Sequence, residues 1–129
     1  MADEFRAYRP WFWAAVAYNL TWGLAVVVYP HWFLWLAGLD ESAAPLARAA
    51  GMMVGVYAYG YYLLARDPLR YAHFIWIAIA GKVFGAIGFA WCAADGTLPW
   101  RFGSNALMND LVWLPAFCAF ALRHARRPA

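Results

Sequence analysis

Four polar side chains interrupt stretches that are otherwise apolar: Asn19, Lys82, Asn109 and Asp110. Lys82 stands in Ala80-Gly81-Lys82-Val83-Phe84-Gly85-Ala86-Ile87-Gly88-Phe89, with no acidic residue within a helical turn to neutralise it. An ammonium deep in hydrocarbon costs at least about 2.5 kcal/mol, so such a lysine faces the protein interior and meets a partner. Asp110 is the matching anion, with Asn109 beside it. A Lys82–Asp110 pair can hold an anionic head group, a carbonyl or a quinone oxygen, or relay a proton. The same pair can equally serve architecture alone by fixing helix register.

The composition defines what must position these groups. The chain has 129 residues, 66% of them hydrophobic, 20% aromatic and 13% charged. A soluble domain carries roughly 25% charged residues, and so much apolar surface does not fit inside one small aqueous core. Helices of about 20 apolar residues crossing a bilayer solve that problem. The pattern predicts an all-α, integral membrane four-transmembrane-helix bundle, one domain over 1–129, with spans of about 11–29, 43–65, 71–94 and 105–122. Pro30 closes the first span, and His31-Trp32-Phe33-Leu34-Trp35-Leu36 is a short apolar segment expected to lie in the membrane interface. The first apolar run has no small-residue cleavage site after it and is expected to remain as a span. In the turn Gly38-Leu39-Asp40-Glu41-Ser42, Ser42 or a neighbour is expected to cap the second long helix.

Charge sets orientation. Arg6, Arg9, Arg66, Arg70, Arg123, Arg126 and Arg127 fall on the side of the termini, against Arg48 and Arg101 on the other. The positive-inside rule then puts both termini in the cytoplasm. The same asymmetry argues against a dual-topology antiparallel dimer. The net charge of +3 comes from residues scattered at segment ends rather than a basic patch, so nucleic acid is not an expected partner.

At about 1.5 Å of rise per residue, Asn19, Lys82 and Asp110 come out at roughly 12, 16 and 20 Å above the cytoplasmic boundary, one layer near the midplane. Arg48 comes out at roughly 27 Å, within reach of Asp110 for a long side chain and a competitor to Lys82 for it. Cys92 and Cys118 come out roughly 24 Å apart, too far for a disulfide. Gly81, Gly85 and Gly88 share one face of the third span, and Gly51 and Gly55 one face of the second. Both are expected to serve close helix packing. Trp22, Trp113, Tyr18 and Phe89 are the expected walls of an apolar pocket. Most other tryptophans and the tyrosines at 57, 59, 61 and 62 are explained as interfacial anchors. His73 and His124 fall at the cytoplasmic head-group level, where solvation suffices. No metal-ligand spacing, nucleophile elbow or phosphate loop occurs.

Tyr18-Asn19 with Trp22-Gly23, Arg66-Asp67-Pro68, Gly81-Lys82 with Gly85, Gly88 and Phe89, and Asn109-Asp110 with Trp113 and Pro115 together form a pattern spanning nearly the whole chain. It resembles a group of small bacterial four-helix inner-membrane proteins, with Lys82 and Asn109-Asp110 as its most specific parts. The resemblance implies a bacterial inner-membrane location but carries no catalytic role, and it identifies no cofactor. A weaker likeness to DoxX-type four-helix proteins, some linked to quinone chemistry, points in the same direction. The expected function is therefore binding of a hydrophobic small molecule (lipid, quinone or pigment) or service as an accessory subunit of a membrane complex. Homo-oligomers are admitted by the same composition. A proton-coupled transporter acting as a parallel homo-oligomer and a membrane enzyme acting on a lipid or quinone are the alternatives.

Overall fold

Pro10 and Pro45 stand in the first turns of long helices, where a missing N–H leaves no hydrogen bond unmade. Pro30, Pro68 and Pro99 stand in connections. The computed structural model, which describes residues 4–126, follows that punctuation and contains no strand among the described residues. Helix α1 covers Arg9–Val28, α2 His31–Ala37, α3 Ala44–Arg66 and α4 Phe74–Ala94. The last helical stretch is composite: a 3-10 turn at Trp100–Phe102, α5 at Gly103–Ala106, a π-helical segment at Leu107–Leu111, and α6 at Leu114–His124.

Three stretches, Arg9–Val28, Phe74–Ala94 and Trp100–His124, are long and apolar enough to cross a membrane. Helix α3 matches them in length but is richer in Tyr and carries Arg48 and Arg66. It runs antiparallel to α1: Gly23 meets Gly51 at one end of the pair, and Trp13 meets Tyr62 at the other with ring centroids 5.9 Å apart. Helix α4 is likewise antiparallel to the last stretch, with Phe89 stacked on Phe102 at 5.8 Å and the Trp76 indole N–H donating to the Ala125 carbonyl at 3.2 Å.

The α1–α3 seam explains two of the glycines. A Cβ on Gly23 would lie 2.6 Å from the Gly51 carbonyl oxygen and 3.0 Å from the Gly55 nitrogen, and one on Gly51 would lie 2.9 Å from the Gly23 carbonyl oxygen. Only glycine lets these backbones approach so closely.

Helix α2 folds back beneath α1. Its apolar face, Phe33, Leu34 and Ala37, is buried, Phe33 packs on Trp22 at 5.3 Å, and Trp32 donates its indole N–H to the Ala25 carbonyl at 3.2 Å. Gly38 ends the helix in the left-handed region at φ 72°, with Leu39 N–H returning to the Leu34 carbonyl at 2.8 Å. The cap expected at Ser42 or a neighbour on the second long helix is not made: α3 begins after Ala43 with no side-chain cap. Asp40 instead caps the 3-10 turn Glu41–Ala43 ahead of it, its carboxylate accepting from Ser42 N–H at 2.9 Å. That bond holds the Asp40 carboxyl below its ordinary range. Thr97 does the same for Asp95 after α4, through its hydroxyl and its N–H.

Two apolar clusters form the core. The larger joins Phe5, Tyr8 and Phe12 to Tyr61, Leu64, Ile75, Trp113, Phe117 and Phe120; the smaller joins Val26, Phe33, Leu34, Ala37 and Ala47. Along α1, Asn19 falls between Ala15 of the first and Val26 of the second, so a polar layer separates them.

Three expectations need correction. The third span begins at Phe74 rather than residue 71, because residues 71–73 are still turn. The fourth is not a continuous helix over 105–122: Pro115 has no N–H for the carbonyl four residues back, and the chain widens into the π-helical segment ahead of it. His124 is not solvated. Its side chain is 8% exposed, its ring lies 4.7, 5.7 and 5.3 Å from those of Phe5, Tyr8 and Phe120, and the Glu4 carboxylate sits 3.6 Å away. His73 is exposed. Cys92 and Cys118 are free thiols. Arg127, one of the residues counted for orientation, lies outside the described residues.

Candidate functional site

A buried lysine must spend its proton donors somewhere, and the shape of the last helical stretch provides the acceptor. In a regular helix the Trp113 N–H would bond the Asn109 carbonyl. Within the widened turn it bonds the Asp110 carbonyl instead, at 3.3 Å, while Val112 N–H reaches the Leu107 carbonyl at 3.1 Å. The Asn109 carbonyl is thereby released from the ladder and accepts from Lys82 Nζ at 2.6 Å. Single-turn π segments of this kind are frequent at functional sites because they free backbone groups for other use.

The rest of the ammonium's surroundings are aromatic. The rings of Tyr61, Trp113 and Phe117 stand 5.9, 6.0 and 5.9 Å from Nζ, a range in which ring faces attract a cation. The Trp113 ring is held in place by its N–H, which donates to the Met108 carbonyl at 3.0 Å across the π segment.

Asp110 comes from the same segment and is 9% exposed, against 6% for Lys82 and 4% for Asn19. Its carboxylate rests over Gly85: a Cβ there would lie 2.8 Å from Oδ2. Oδ1 accepts a long bond of 3.4 Å from the Asn109 side-chain amide. Asn109 Oδ1 is itself buried with no hydrogen-bond partner among the described residues. The Asn19 amide nitrogen donates back to the Ala15 carbonyl at 2.8 Å, which leaves its oxygen and its second N–H for neighbours.

These residues share a cavity of about 200 Å³ lined by Asn19, Met53, Val54, Tyr57, Tyr61, Ala78, Gly81, Lys82, Asn109 and Asp110. The layer anticipated from helix rise is therefore present: Asn19, Lys82, Asn109 and Asp110 converge. The expected direct ion pair is not formed, since no Lys82–Asp110 approach falls within 4.0 Å among the described residues. Lys82 has taken a backbone carbonyl, and the Asp110 carboxylate lines the same cavity.

Arg48 does not join them. It is exposed, and its Nε donates to the Val27 carbonyl at 3.2 Å, at the C-terminal end of α1. The carbonyls left unpaired there and the negative end of the helix dipole give an arginine a nearer partner than Asp110.

The four expected wall residues lie outside the cavity lining. Trp22 packs on Phe33, Phe89 packs on Trp100 and Phe102, and Tyr18 packs on Trp113 at 5.5 Å. Trp113 touches the site only as a ring beside Lys82. The walls are instead α3 residues: Met53, Val54, Tyr57 and Tyr61. The signal was the i, i+4 spacing of Tyr57 and Tyr61, which puts both on one helix face. Tyr61 is 1% exposed, whereas Tyr59, two residues away, is 66% exposed and matches the anchor reading.

The glycine stripe of α4 meets a neighbouring helix closely at Gly85 only. Gly85 makes room for the Asp110 carboxylate, Gly81 has only the Tyr57 hydroxyl near it, at 3.6 Å, and Gly88 has nothing within 4 Å. Gly55 contributes its backbone to Gly23, yet a Cβ of its own would meet open space. Gly60, which carried no assignment, is required: the Phe74 ring occupies the place of its Cβ.

Comparison with protein-family models, curated proteins and solved structures finds no match.

Proposed function

We propose that this chain is a four-span protein of the bacterial inner membrane, with both termini cytoplasmic, which binds a lipid-soluble small molecule at the Lys82–Asp110 cavity. The observation that carries this reading is the cavity itself, which joins an ammonium and a carboxylate in one chamber without pairing them. Intramembrane charges that face a common chamber are characteristic of ligand and proton sites.

Four spans are supported by α3, which runs alongside α1 for its whole length and buries Ala47, Gly51, Ala58, Tyr61 and Leu64 against the bundle. The termini and the α3–α4 connection lie at one end, where His124 meets Glu4 and Phe74 meets Tyr61, and that end holds Arg6, Arg9, Arg66, Arg70, Arg123 and Arg126. Helix α2, with Trp35 exposed opposite its buried face, suits the outer interface.

Native mass spectrometry of the protein released from membranes tests the reading. A lipid-soluble molecule retained in one-to-one amount by the wild type and lost from Lys82→Ala is expected. A folded, monodisperse wild type that carries no such molecule from any membrane preparation overturns it. The open flank of α4 around Gly88, where a Cβ would meet nothing within 4 Å, favours a second reading as a subunit of a larger membrane complex or homo-oligomer. The same spectra report that stoichiometry.

A further inference from the structure

The chemistry of the cavity constrains what it can hold. Lysine has three donors, and the Asn109 carbonyl takes one of them. In the same chamber, the Asp110 carboxylate is met only by a 3.4 Å bond among the described residues, and Asn109 Oδ1 has no donor among them. Unused donors on Lys82 and under-used acceptors on Asp110 and Asn109 in one chamber ask for an occupant that offers an oxygen acceptor to Lys82 and a hydroxyl donor to Asp110 or Asn109.

Charge narrows the class. The site already contains one cation and one anion, so a charged head group would leave a net charge uncompensated in a medium of low dielectric constant. An uncharged head that bridges them makes two charge-assisted hydrogen bonds and adds no net charge.

Size and access narrow it further. About 200 Å³ is below the roughly 300 Å³ at which pockets enclose a whole drug-sized ligand, so a head group fits and a long tail does not. Of the residues that line the cavity, only Met53 on α3 and Gly81 on α4 are exposed, which sets its opening between these two helices. Met53, on its rim, is 65% exposed, and Gly81 opposite is exposed with only the Tyr57 hydroxyl near it. Below that level the Phe74 ring, seated in the notch of Gly60, closes the same two helices together. In a four-span bundle this window opens sideways into the acyl chains.

We propose that the site takes an uncharged amphiphile whose head carries an oxygen acceptor and a hydroxyl on neighbouring atoms. The head bridges Lys82 and Asp110, and the tail leaves through the Met53–Gly81 window. This rests on the ligand-binding reading above. A glyceride and a hydroxylated ring with an alkoxy neighbour share this chemistry.

The test uses the full chain in nanodiscs of neutral lipid, titrated with monoolein, an alkylated methoxyphenol, methyl oleate, oleate and oleylamine, and followed by native mass spectrometry and tryptophan fluorescence. One or both of the first two probes bind one-to-one, identifying the glyceride or the ring source. Methyl oleate, which lacks the hydroxyl, binds at least tenfold more weakly, and so do both charged probes. Asp110→Asn keeps an acceptor but loses the charge, and it weakens the preferred probe about tenfold. Met53→Trp changes the most exposed of the wall residues, leaves the polar groups in place and slows association several-fold, so the proposal stays testable if variants at Lys82 or Asp110 do not fold. Oleate or oleylamine bound one-to-one and lost in Lys82→Ala would leave the ligand-binding reading standing and overturn the uncharged head. Equal binding of methyl oleate and monoolein would overturn the bridging role, and unchanged association in Met53→Trp would overturn the side window. A chamber filled by water alone would bind none of the probes, and both readings would fall.

Discussion

Replacing Gly23 by alanine perturbs the α1–α3 seam at the point where it is tightest. The added Cβ would stand 2.6 Å from the Gly51 carbonyl oxygen, about 0.8 Å inside ordinary van der Waals contact. The Gly55 nitrogen and Cα follow at 3.0 and 3.1 Å. All three are backbone atoms of one helix, so no rotamer change relieves the overlap and the helices must separate. A radial gap of about 0.5–1 Å already forfeits a quarter to a half of each dispersion contact, and overpacking of this kind costs about 1–3 kcal/mol. For a chain of this size that corresponds to a fall in Tm on the order of 4–10 °C. The assay is thermal unfolding in mild detergent, followed by far-UV circular dichroism, with Gly88→Ala as the control. Nothing lies within 4 Å of a Cβ at Gly88, so this variant should remain within about 0.5 kcal/mol of the wild type. Equal melting of the two variants would refute the close-approach reasoning.

Gly85→Ala places a Cβ 2.8 Å from Asp110 Oδ2. The carboxylate can swing aside, so ligand retention in native mass spectra should fall about tenfold while Tm changes by less than about 1 kcal/mol in equivalent stability; unchanged retention would show that the carboxylate position does not matter. Gly60→Ala overlaps the Phe74 ring at 2.0 Å and should cost about 1–3 kcal/mol, with the double variant Gly60→Ala/Phe74→Ala melting above the single one. Asp40 and Asp95, both held below the ordinary carboxylate range by hydrogen bonds from Ser42 and Thr97, stabilise their turns at neutral pH and lose that contribution as pH falls through their lowered folded values. Side-chain carboxyl NMR titration should place both midpoints below that of a free aspartate, and midpoints at the free value would contradict the capping bonds.

The helices long and apolar enough to cross a membrane and the polar layer were legible in the chain because both depend on local quantities. Uninterrupted apolar length separates helices from connections, and a rise of about 1.5 Å per residue converts position into depth. Asn19, Lys82 and Asp110 therefore fell into one layer on counting alone, and the cavity does gather them. Azimuth was only partly legible. Small residues at i, i+4 mark a face but do not say what fills it: on α4 the close helix contact is made at Gly85 alone, and there through a carboxylate of the last helical stretch. Aromatic residues read as anchors or as walls with equal ease, and Tyr57 and Tyr61 were separated from Tyr59 only by packing.

What tertiary structure alone decided is where the charges end. The sequence offers Lys82 one obvious partner, yet Pro115 and the widened turn before it free the Asn109 carbonyl, and the ammonium takes the nearer backbone acceptor at 2.6 Å. That choice depends on the spatial register between α4 and a non-ideal helix, which neither composition nor periodicity encodes. Its result is a lysine and an aspartate that face the same chamber unpaired.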